Sequence, residues 1–180
     1  MPTHIEIPYT PRPLQAKLHQ RLTKYRWGVI VCHRRFGKTV MAMNHLLREA
    51  ILCTQPYLKQ FSAKIPDARF HETELRVDLP NGSRINLLGA ENPDSLRGIY
   101  LDGCILDEVA DMPESVFPEI IRPALSDRKG FCYFIGTPRG HNAFFDLYEQ
   151  ASNTKDWYHV TYKASQTKIE EQEELDAARS

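Results

Sequence analysis

Residues 29–39 read Val29-Ile-Val-Cys-His-Arg-Arg-Phe-Gly-Lys-Thr39, an apolar run followed by a polar loop that ends in Gly-Lys-Thr. A helical pattern begins directly afterwards. The order of strand, loop and helix is typical of a phosphate-binding loop. Such a loop directs backbone N–H groups and the positive end of a helix dipole toward an anion. The segment therefore predicts a nucleotide site.

The side chains of this loop have separate expected roles. Gly37 lets the backbone approach the phosphates, Lys38 reaches the outer phosphates, and the Thr39 hydroxyl is a magnesium ligand. The loop departs from the usual pattern because Cys32 stands where the first glycine is expected. The predicted nucleotide-contacting residues of the loop are Cys32, His33, Arg34, Arg35, Phe36, Gly37, Lys38, Thr39 and Val40.

A second motif, Cys104-Ile-Leu-Asp-Glu108, is an apolar strand that ends in two acids. Asp107 is expected to hold the magnesium ion, and Glu108 to orient and deprotonate the water that attacks the γ-phosphate. The alternative is an exposed acidic turn after a core strand. Pairing with Gly-Lys-Thr upstream favours the catalytic interpretation, and a water-activating acid favours hydrolysis over phosphoryl transfer.

A third motif, Phe134-Ile-Gly-Thr-Pro-Arg-Gly140, is again an apolar strand followed by a polar loop. Ligands collect at the carboxyl ends of parallel strands, so this loop is expected to face the same phosphates. Thr137 or Arg139 could sense the γ-phosphate. An ordinary Gly-Pro turn is the competing interpretation.

Weaker candidates precede these strands. Gln15, with Arg12 nearby, could hydrogen-bond the edge of adenine, although a glutamine at a helix start is otherwise unremarkable. Arg97 could present its guanidinium to phosphate in its own or a neighbouring site, and a solvated surface arginine has equal weight. Basic clusters at 24–26 and 59–69 are candidates for DNA contact, although most such clusters are only solvated faces.

Strand and helix patterns alternate along the chain, which predicts a mainly parallel sheet covered on both faces. A hairpin is expected around Asn81-Gly82, the strongest short-range signal of this turn. The predicted strands lie at 27–31, 104–106, 131–135 and 157–162, with hairpin strands at 74–79 and 84–88. The predicted helices lie at 14–25, 39–52, 58–65, 117–125 and 143–151, and the acidic tail 168–179 is helix-prone.

Length and composition set further bounds. The 180 residues suit one domain, and the equal counts of 23 basic and 23 acidic residues give no overall attraction to nucleic acid. The four cysteines lack metal-ligand spacing and are expected to be reduced and mostly buried. Neither a signal peptide nor a membrane span is predicted. Because Cys53-Thr-Gln-Pro-Tyr57 runs directly into the next helix, we hypothesise that a segment, normally a strand, is missing there.

The motifs together resemble the large terminase subunit of tailed bacteriophages, the ATP-driven motor that packs DNA into capsids. The loop without its first glycine, the acidic motif preceded by Arg97-Gly98, and Gly136-Thr-Pro-Arg-Gly140 with the helix after it carry the resemblance. The Gln15 segment is similar to the adenine-binding motif of that family. The resemblance implies an α/β P-loop NTPase of the additional-strand, catalytic-glutamate type.

The resemblance also implies ATP and magnesium as cofactors. The expected partners are double-stranded DNA, the portal protein of the procapsid, a small terminase subunit and further copies in a ring. Arg34 or Arg35 would act within its own subunit and Arg97 on the next. The expected location is the host cytoplasm and transiently the portal vertex, with no membrane and no place in the mature virion.

Residues 1–165 are predicted to form the ATPase domain and 166–180 to begin a linker. The family's C-terminal nuclease domain has no room after Tyr162, so DNA cutting is not expected of this chain.

Two other function classes remain open. A helicase-like DNA-dependent ATPase core would need a second similar domain to supply its arginine, and a non-catalytic nucleotide switch would not require Glu108.

Overall fold

The computed structural model describes residues 9–53 and 67–167. The chain divides into two compact units, of which the smaller comprises Met1–Gln15 with Val40–Gly89 and the larger Ala16–Thr39 with Ala90–Ser180. The strands are β1 Trp27–Cys32, β2 Arg69–His71, β3 Arg76–Asp78, β4 Arg84–Asn86, β5 Gly103–Asp107, β6 Phe131–Gly136 and β7 Trp157–Tyr162. The helices are α1 Pro13–Leu22, α2 Lys38–Cys53, α3 Ala143–Ser152 and α4 Ala164–Thr167.

Shorter helical turns complete the description. Turns of 3₁₀-helix lie at Arg34–Phe36, Pro93–Leu96 and Val109–Asp111. A segment of π-helix, Val116–Ile121, continues as the α-helical turn Arg122–Ala124. Across the two described ranges, no helix is long and apolar enough to cross a membrane.

The larger unit contains a four-stranded sheet in the order β5-β6-β1-β7, and every neighbouring pair is parallel. The strand β1 lies inside the sheet, with Ile30 beside Ile135 of β6 and Val160 of β7. Its burial on both faces explains the continuous apolar run in the sequence. Because the strands are parallel, the carboxyl ends of β1, β5 and β6 meet at one edge of the sheet.

Helices cover both faces of this sheet. On one face Val29 and Phe134 pack with Ile120 and with Phe144 of α3 in the main core. On the other face the end of α1 lies against Gly28, where an added Cβ would meet Leu22 and Tyr133 side chains at 3.2 Å. The prediction of a parallel α/β sheet with helices on both faces is confirmed.

Aromatic rings gather on the first face of the sheet. Trp27 and Trp157 stack with centroids 5.6 Å apart, and Phe117 meets Trp27 edge-on at 5.8 Å. These rings line a cavity of about 570 Å³ that also contacts Leu147 of α3. None of the residues predicted to bind nucleotide lines this cavity.

The smaller unit contains the antiparallel sheet β2-β3-β4. Val77, Leu79 and Ile85 form a core cluster with Leu47 of α2. The predicted hairpin is confirmed, and Gly82 at its turn has a φ of 85° that glycine adopts without steric cost. The strand β2 was not predicted, because the polar residues Arg69 and His71 occupy two of its three positions.

Three predictions about local structure were wrong in detail. Leu75 was expected inside a strand, but its φ of 45° bends the chain and leaves the side chain 51% exposed. The helix predicted over 14–25 ends at Leu22, and the segment 117–125 begins as π-helix rather than α-helix. The predicted helices at 58–65 and 168–179 lie outside the described residues, as does most of the segment 53–57 where a deletion was hypothesised.

Candidate nucleotide site

Charged and hydroxyl side chains from three strand ends meet in the larger unit. The loop after β1 leads to Lys38, β5 ends at Asp107 with Glu108 next, and Thr137 follows β6. The parallel register places these ends at one edge of the sheet, where α/β folds bind their ligands.

The phosphate loop has a compact local structure. After β1 the chain makes the 3₁₀ turn Arg34–Phe36, and Gly37 then adopts φ 78° and ψ 44° in the left-handed region. Only glycine takes this conformation without strain from a Cβ atom. The change of direction lets α2 begin at Lys38, so the first backbone N–H groups of that helix point back toward the loop. An anion at this position would also receive the positive end of the helix dipole.

Lys38 is a nearly buried cation with two partners. Its side chain is 6% exposed, and Nζ donates to Thr137 Oγ1 at 2.8 Å. The same Nζ lies 3.1 Å from Glu108 Oε1. A buried ammonium group requires such partners, since desolvation of an isolated charge is costly. Lys38 therefore connects the acidic motif with the loop after β6.

Thr39 and Asp107 form the second contact of the site. The Thr39 hydroxyl donates to Asp107 Oδ2 at 2.7 Å, while Asp107 Oδ1 accepts the backbone N–H of Glu108 at 3.0 Å. A hydroxyl and a carboxylate are the hard oxygen donors that magnesium uses in phosphate sites, where substrate phosphates and water complete the coordination. The donor set of these two residues fits that ion.

Glu108 has an unusual backbone conformation. It lies in the left-handed region, at φ 51° and ψ 47°, between the end of β5 and the turn Val109–Asp111. A residue with a side chain pays about 1–2 kcal/mol for this conformation. Its carboxylate is 48% exposed, so it contacts Lys38 on one side and solvent on the other. Backbone strain of this kind concentrates at functional sites.

Asp111 is a site residue that the sequence analysis missed. Its carboxylate forms an ion pair with the guanidinium of Arg139, and both side chains are about half exposed. The pair links the turn after the acidic motif to the loop after β6. A third acid three residues after Glu108 was the one signal for it, but no local pattern indicated which cation this acid would contact.

Cys32 occupies the position of the missing glycine as a neutral thiol. Its side chain is fully buried, and this burial raises its pKa to about 12, with the charge of Lys38 opposing the rise and that of Asp107 adding to it. At neutral pH it is therefore an uncharged, packed side chain. Cys104 and Cys132 are also free thiols, in agreement with the expectation of reduced cysteines.

The remaining predicted residues of the loop have mixed environments. Arg34 and Arg35 are exposed, and Val40 is 49% exposed. Phe36 is buried against Tyr162, with the two rings stacked at 5.1 Å.

The structure does not place Arg97 among the contacts of Lys38 and Asp107. Its Nε donates to Asp94 at 2.7 Å, and its Nη2 lies 3.8 Å from Glu119. These two acids raise the pKa of Arg97 above its ordinary value, chiefly through the hydrogen bond that Arg97 donates to Asp94. The guanidinium is 56% exposed, so it can exchange these partners for others.

Gln15 and Arg12 belong to the smaller unit. The Gln15 side chain is 3% exposed, and its Oε1 accepts the backbone N–H of Arg12 at 3.0 Å and the hydroxyl of Tyr9 at 3.4 Å. Burial raises the pKa of Tyr9 to about 12, with the charge of Arg12 opposing the rise. The Gln15 carboxamide is therefore held in one orientation by its own segment.

Comparison with known proteins identifies relatives of one kind. The sequence profile of the family described as "Terminase large subunit, T4likevirus-type, N-terminal" matches residues 23–179. Over 118 residues, 63% of this chain, the large terminase subunit of Thermus phage G20c is 40% identical and that of Thermus virus P23-45 is 34% identical. The matched part spans 24% of the length of each of these relatives.

Solved structures share the fold. The large terminase ATPase domain of Thermus phage P74-26 superposes with a TM-score of 0.77 at 22% identity, over 96% of this chain and 89% of that domain. The large terminase of the thermophilic bacteriophage D6E, solved in complex with ATP-γ-S, gives a TM-score of 0.71 at 16% identity, over 94% of this chain and 49% of that one.

Proposed function

This chain belongs to the family of T4-like-virus-type terminase large subunit N-terminal domains, and we propose that it binds ATP with magnesium and hydrolyses it to ADP and phosphate. The observation that carries the proposal is the meeting of Lys38 with Glu108 and Thr137, beside the contact of Thr39 with Asp107. The solved D6E terminase binds ADP and ATP-γ-S, which supports a nucleotide as the ligand here.

Phosphate binding follows from the geometry of the loop. The left-handed Gly37 and the start of α2 supply backbone N–H donors, and Lys38 supplies a positive charge for the β- and γ-phosphates. Thr39 and Asp107 would hold the magnesium ion, which neutralises charge on the phosphates when bound. The hydroxyl and carboxylate already lie 2.7 Å apart, so this part of the site needs little rearrangement.

Hydrolysis requires Glu108 to act on water. Phosphate oxygens compete with the Glu108 carboxylate for Lys38 Nζ, so binding of ATP would draw the lysine from the acid. The half-exposed carboxylate is then available to orient a water molecule and to accept its proton as the oxygen attacks the γ-phosphate. Thr137, which accepts a hydrogen bond from Lys38, would report the position of the lysine to the loop after β6.

The arginines would supply the remaining positive charge. Arg34 and Arg35 lie in the phosphate loop of the same subunit, and their exposed guanidinium groups can reach an anion bound there. Arg97 is exposed and would act on the nucleotide of a neighbouring subunit in a ring. Its replacement by alanine should then lower kcat by about 10³-fold or more in assembled rings and much less in isolated protomers.

The wider role of the chain is proposed from its family. We propose that ATP hydrolysis drives double-stranded DNA into a procapsid, with the portal protein, a small terminase subunit and further copies of this chain as partners. This activity belongs to the host cytoplasm and the portal vertex. The family match does not favour a helicase-like core.

The decisive experiment measures phosphate release by the purified chain, with and without procapsids and double-stranded DNA. We expect single-turnover hydrolysis by the chain alone and faster steady-state turnover when both additions are present. A chain that binds ADP but never releases phosphate from ATP would contradict the ATPase proposal. A rate of hydrolysis that is the same with and without procapsids and DNA would support the ATPase proposal but contradict the proposed role in DNA packaging.

A further inference from the structure

The phosphate loop contacts the helix that follows β7. Thr167 of α4 has its Oγ1 2.9 Å from Nε2 of His33, the first residue after β1. The same hydroxyl donates to the Ala164 carbonyl at 2.8 Å. Thr167 Oγ1 and His33 Nε2 are within hydrogen-bond distance, and the tautomer of His33 determines which of the two donates. The contact joins positions that are 134 residues apart in the sequence.

Aromatic packing strengthens this connection. Phe36, inside the loop, is 2% exposed and stacks on Tyr162 at the end of β7 with an interplanar angle of 8°. The His33 ring meets the Phe36 ring edge-on at 6.1 Å, and the His33 backbone N–H donates to the Tyr162 carbonyl at 3.3 Å. The loop is therefore attached to β7 and α4 through His33 and Phe36.

The described part of α4, Ala164–Thr167, follows β7 directly and contacts the phosphate loop through Thr167. Its first turn is supported by Gln166, whose Oε1 accepts the backbone N–H of Lys163 at 2.8 Å. Because Thr167 of α4 contacts His33 of the phosphate loop, a change in the loop can be transmitted to α4 through this contact.

We propose that Thr167 is a positioning residue for the phosphate loop, and that its contact with His33 couples nucleotide occupancy to the chain that follows β7. The backbone N–H groups after His33 must converge on the phosphates, and Thr167 fixes the ring at the start of this segment. By thermodynamic reciprocity, a contact that favours nucleotide binding is itself favoured by the nucleotide. The inference rests on the proposed function of the loop as a nucleotide site.

The test compares Thr167→Val with Thr167→Ser and with a matched control, Thr154→Val. Valine keeps the shape of threonine and removes the hydroxyl, whereas serine keeps the hydroxyl. The control removes a similar hydrogen bond at the end of α3, where Thr154 Oγ1 donates to the Gln150 carbonyl at 2.7 Å. Circular dichroism establishes that each variant is folded.

Two measurements follow on these proteins. Calorimetric titration with ADP should show about a 3–10-fold weaker affinity for Thr167→Val, the range expected for one hydrogen bond, and values near wild type for the serine and control variants. At saturating ATP the kcat of Thr167→Val should be unchanged, because the hydroxyl does not touch the reacting atoms. Amide hydrogen exchange at 164–167 should slow on addition of ADP in wild type and Thr167→Ser, and should not slow in Thr167→Val.

The outcomes separate the two proposals. The coupling is overturned if Thr167→Val binds ADP as tightly as wild type. It is also overturned if ADP does not change amide exchange at 164–167 in wild type. Neither result contradicts the nucleotide site itself. Equal loss in Thr167→Ser and Thr167→Val also overturns it, since the hydroxyl would then not be the cause. Failure of wild type to bind ADP overturns the proposed function and this inference together.

Discussion

Asp78 and Glu108 are both carboxylates beside cations, but their surroundings differ. In the smaller unit, Asp78 at the end of β3 accepts hydrogen bonds from Arg84 at 2.8 Å and Arg76 at 3.3 Å, and His71 Nε2 lies at 3.1 Å. The hydrogen bond from Arg84 lowers the pKa of Asp78, and the charges of all three neighbours contribute.

In the larger unit the group shared between several partners is a cation and not an acid. There one nearly buried cation, Lys38, is shared between the half-exposed acid Glu108 and the hydroxyl of Thr137. An acid with three basic neighbours has no need of another partner, whereas a buried lysine with one exposed acid can exchange that acid for phosphate. We therefore infer that the cluster around Asp78 stabilises its sheet, whereas the cluster around Lys38 can bind a ligand.

The largest effect should come from Glu108→Gln. The amide cannot accept a proton from water, so kcat should fall by about 10²–10⁴-fold while ADP affinity is retained. Single-turnover phosphate release and calorimetric titration with ADP measure the two quantities. The control is Glu74→Gln, which makes the same chemical change at the ion pair with Arg76 and should leave turnover unaltered. Normal turnover in Glu108→Gln would remove the assignment of the base.

Lys38→Ala should act on affinity as well as on turnover. A hydrogen bond to a charged group contributes about 1.5–3 kcal/mol, so ADP and ATP should bind roughly 10–100-fold more weakly. The matched change in the smaller unit is Arg84→Ala, which removes a cation from the neighbours of Asp78. Calorimetric titration of both variants tests this comparison, because only the substitution of Lys38 should weaken nucleotide binding. An equal loss in Arg84→Ala would contradict it.

Asp78→Asn should affect stability and spare turnover. We expect a loss of about 1 kcal/mol in the free energy of unfolding at pH 7, because the charged hydrogen bonds of the cluster are weakened. The folded pKa lies below the ordinary value of 3.8, so this stabilisation is present above that pH and is lost as the pH falls through the folded pKa.

Urea unfolding at pH 7 and at progressively lower pH measures this difference. The midpoints of wild type and Asp78→Asn should converge below about pH 4. Asp94→Asn is the control, because Asp94 is 79% exposed and its pair with Arg97 should contribute less. A gap between wild type and Asp78→Asn that persists unchanged at low pH would show that packing, and not charge, explains the effect.

The smallest expected effect concerns two left-handed residues. Leu75 and Glu108 have φ values of 45° and 51°, and glycine would relieve the strain at either position. After the entropic cost of glycine, we expect a gain of about 0.5 kcal/mol in Leu75→Gly, measured by urea unfolding, whereas Glu108→Gly should show no gain because it removes the acid beside the nearly buried Lys38. Leu75→Gly should keep wild-type phosphate release, whereas Glu108→Gly should lose it. Loss of activity in Leu75→Gly would show that its strain is also functional.

The sequence predicted the parallel sheet well because the fold depends on local patterns. The apolar run before Cys32 and the run before Asp107 each identify a buried strand, and Asn81-Gly82 identifies a turn. The failures share a cause. Alternation of apolar residues placed Leu75 in a strand, but a backbone turn that the pattern does not encode exposes it. The polar residues Arg69 and His71 concealed a strand whose packing depends on one partly buried side chain, Phe70.

Long-range partners of the site lay beyond prediction. The motifs indicated which side chains lie at the strand ends, because in a parallel sheet the topology alone brings those ends together. They gave no reason to pair Arg139 with Asp111 or His33 with Thr167. Such contacts depend on how loops pack in three dimensions. For the same reason, neither Asp94 nor Glu119 could be named beforehand as a partner of Arg97.

The stacked indole rings of Trp27 and Trp157 give the chain a built-in optical reporter. They are its two tryptophans, and both lie in the larger unit, so ultraviolet emission follows the pairing of β1 with β7. Heating the protein while recording emission and far-ultraviolet ellipticity therefore distinguishes one cooperative transition from two. Coincident curves would mean that both units melt together, and an early ellipticity change with constant emission would mean that the hairpin sheet melts first.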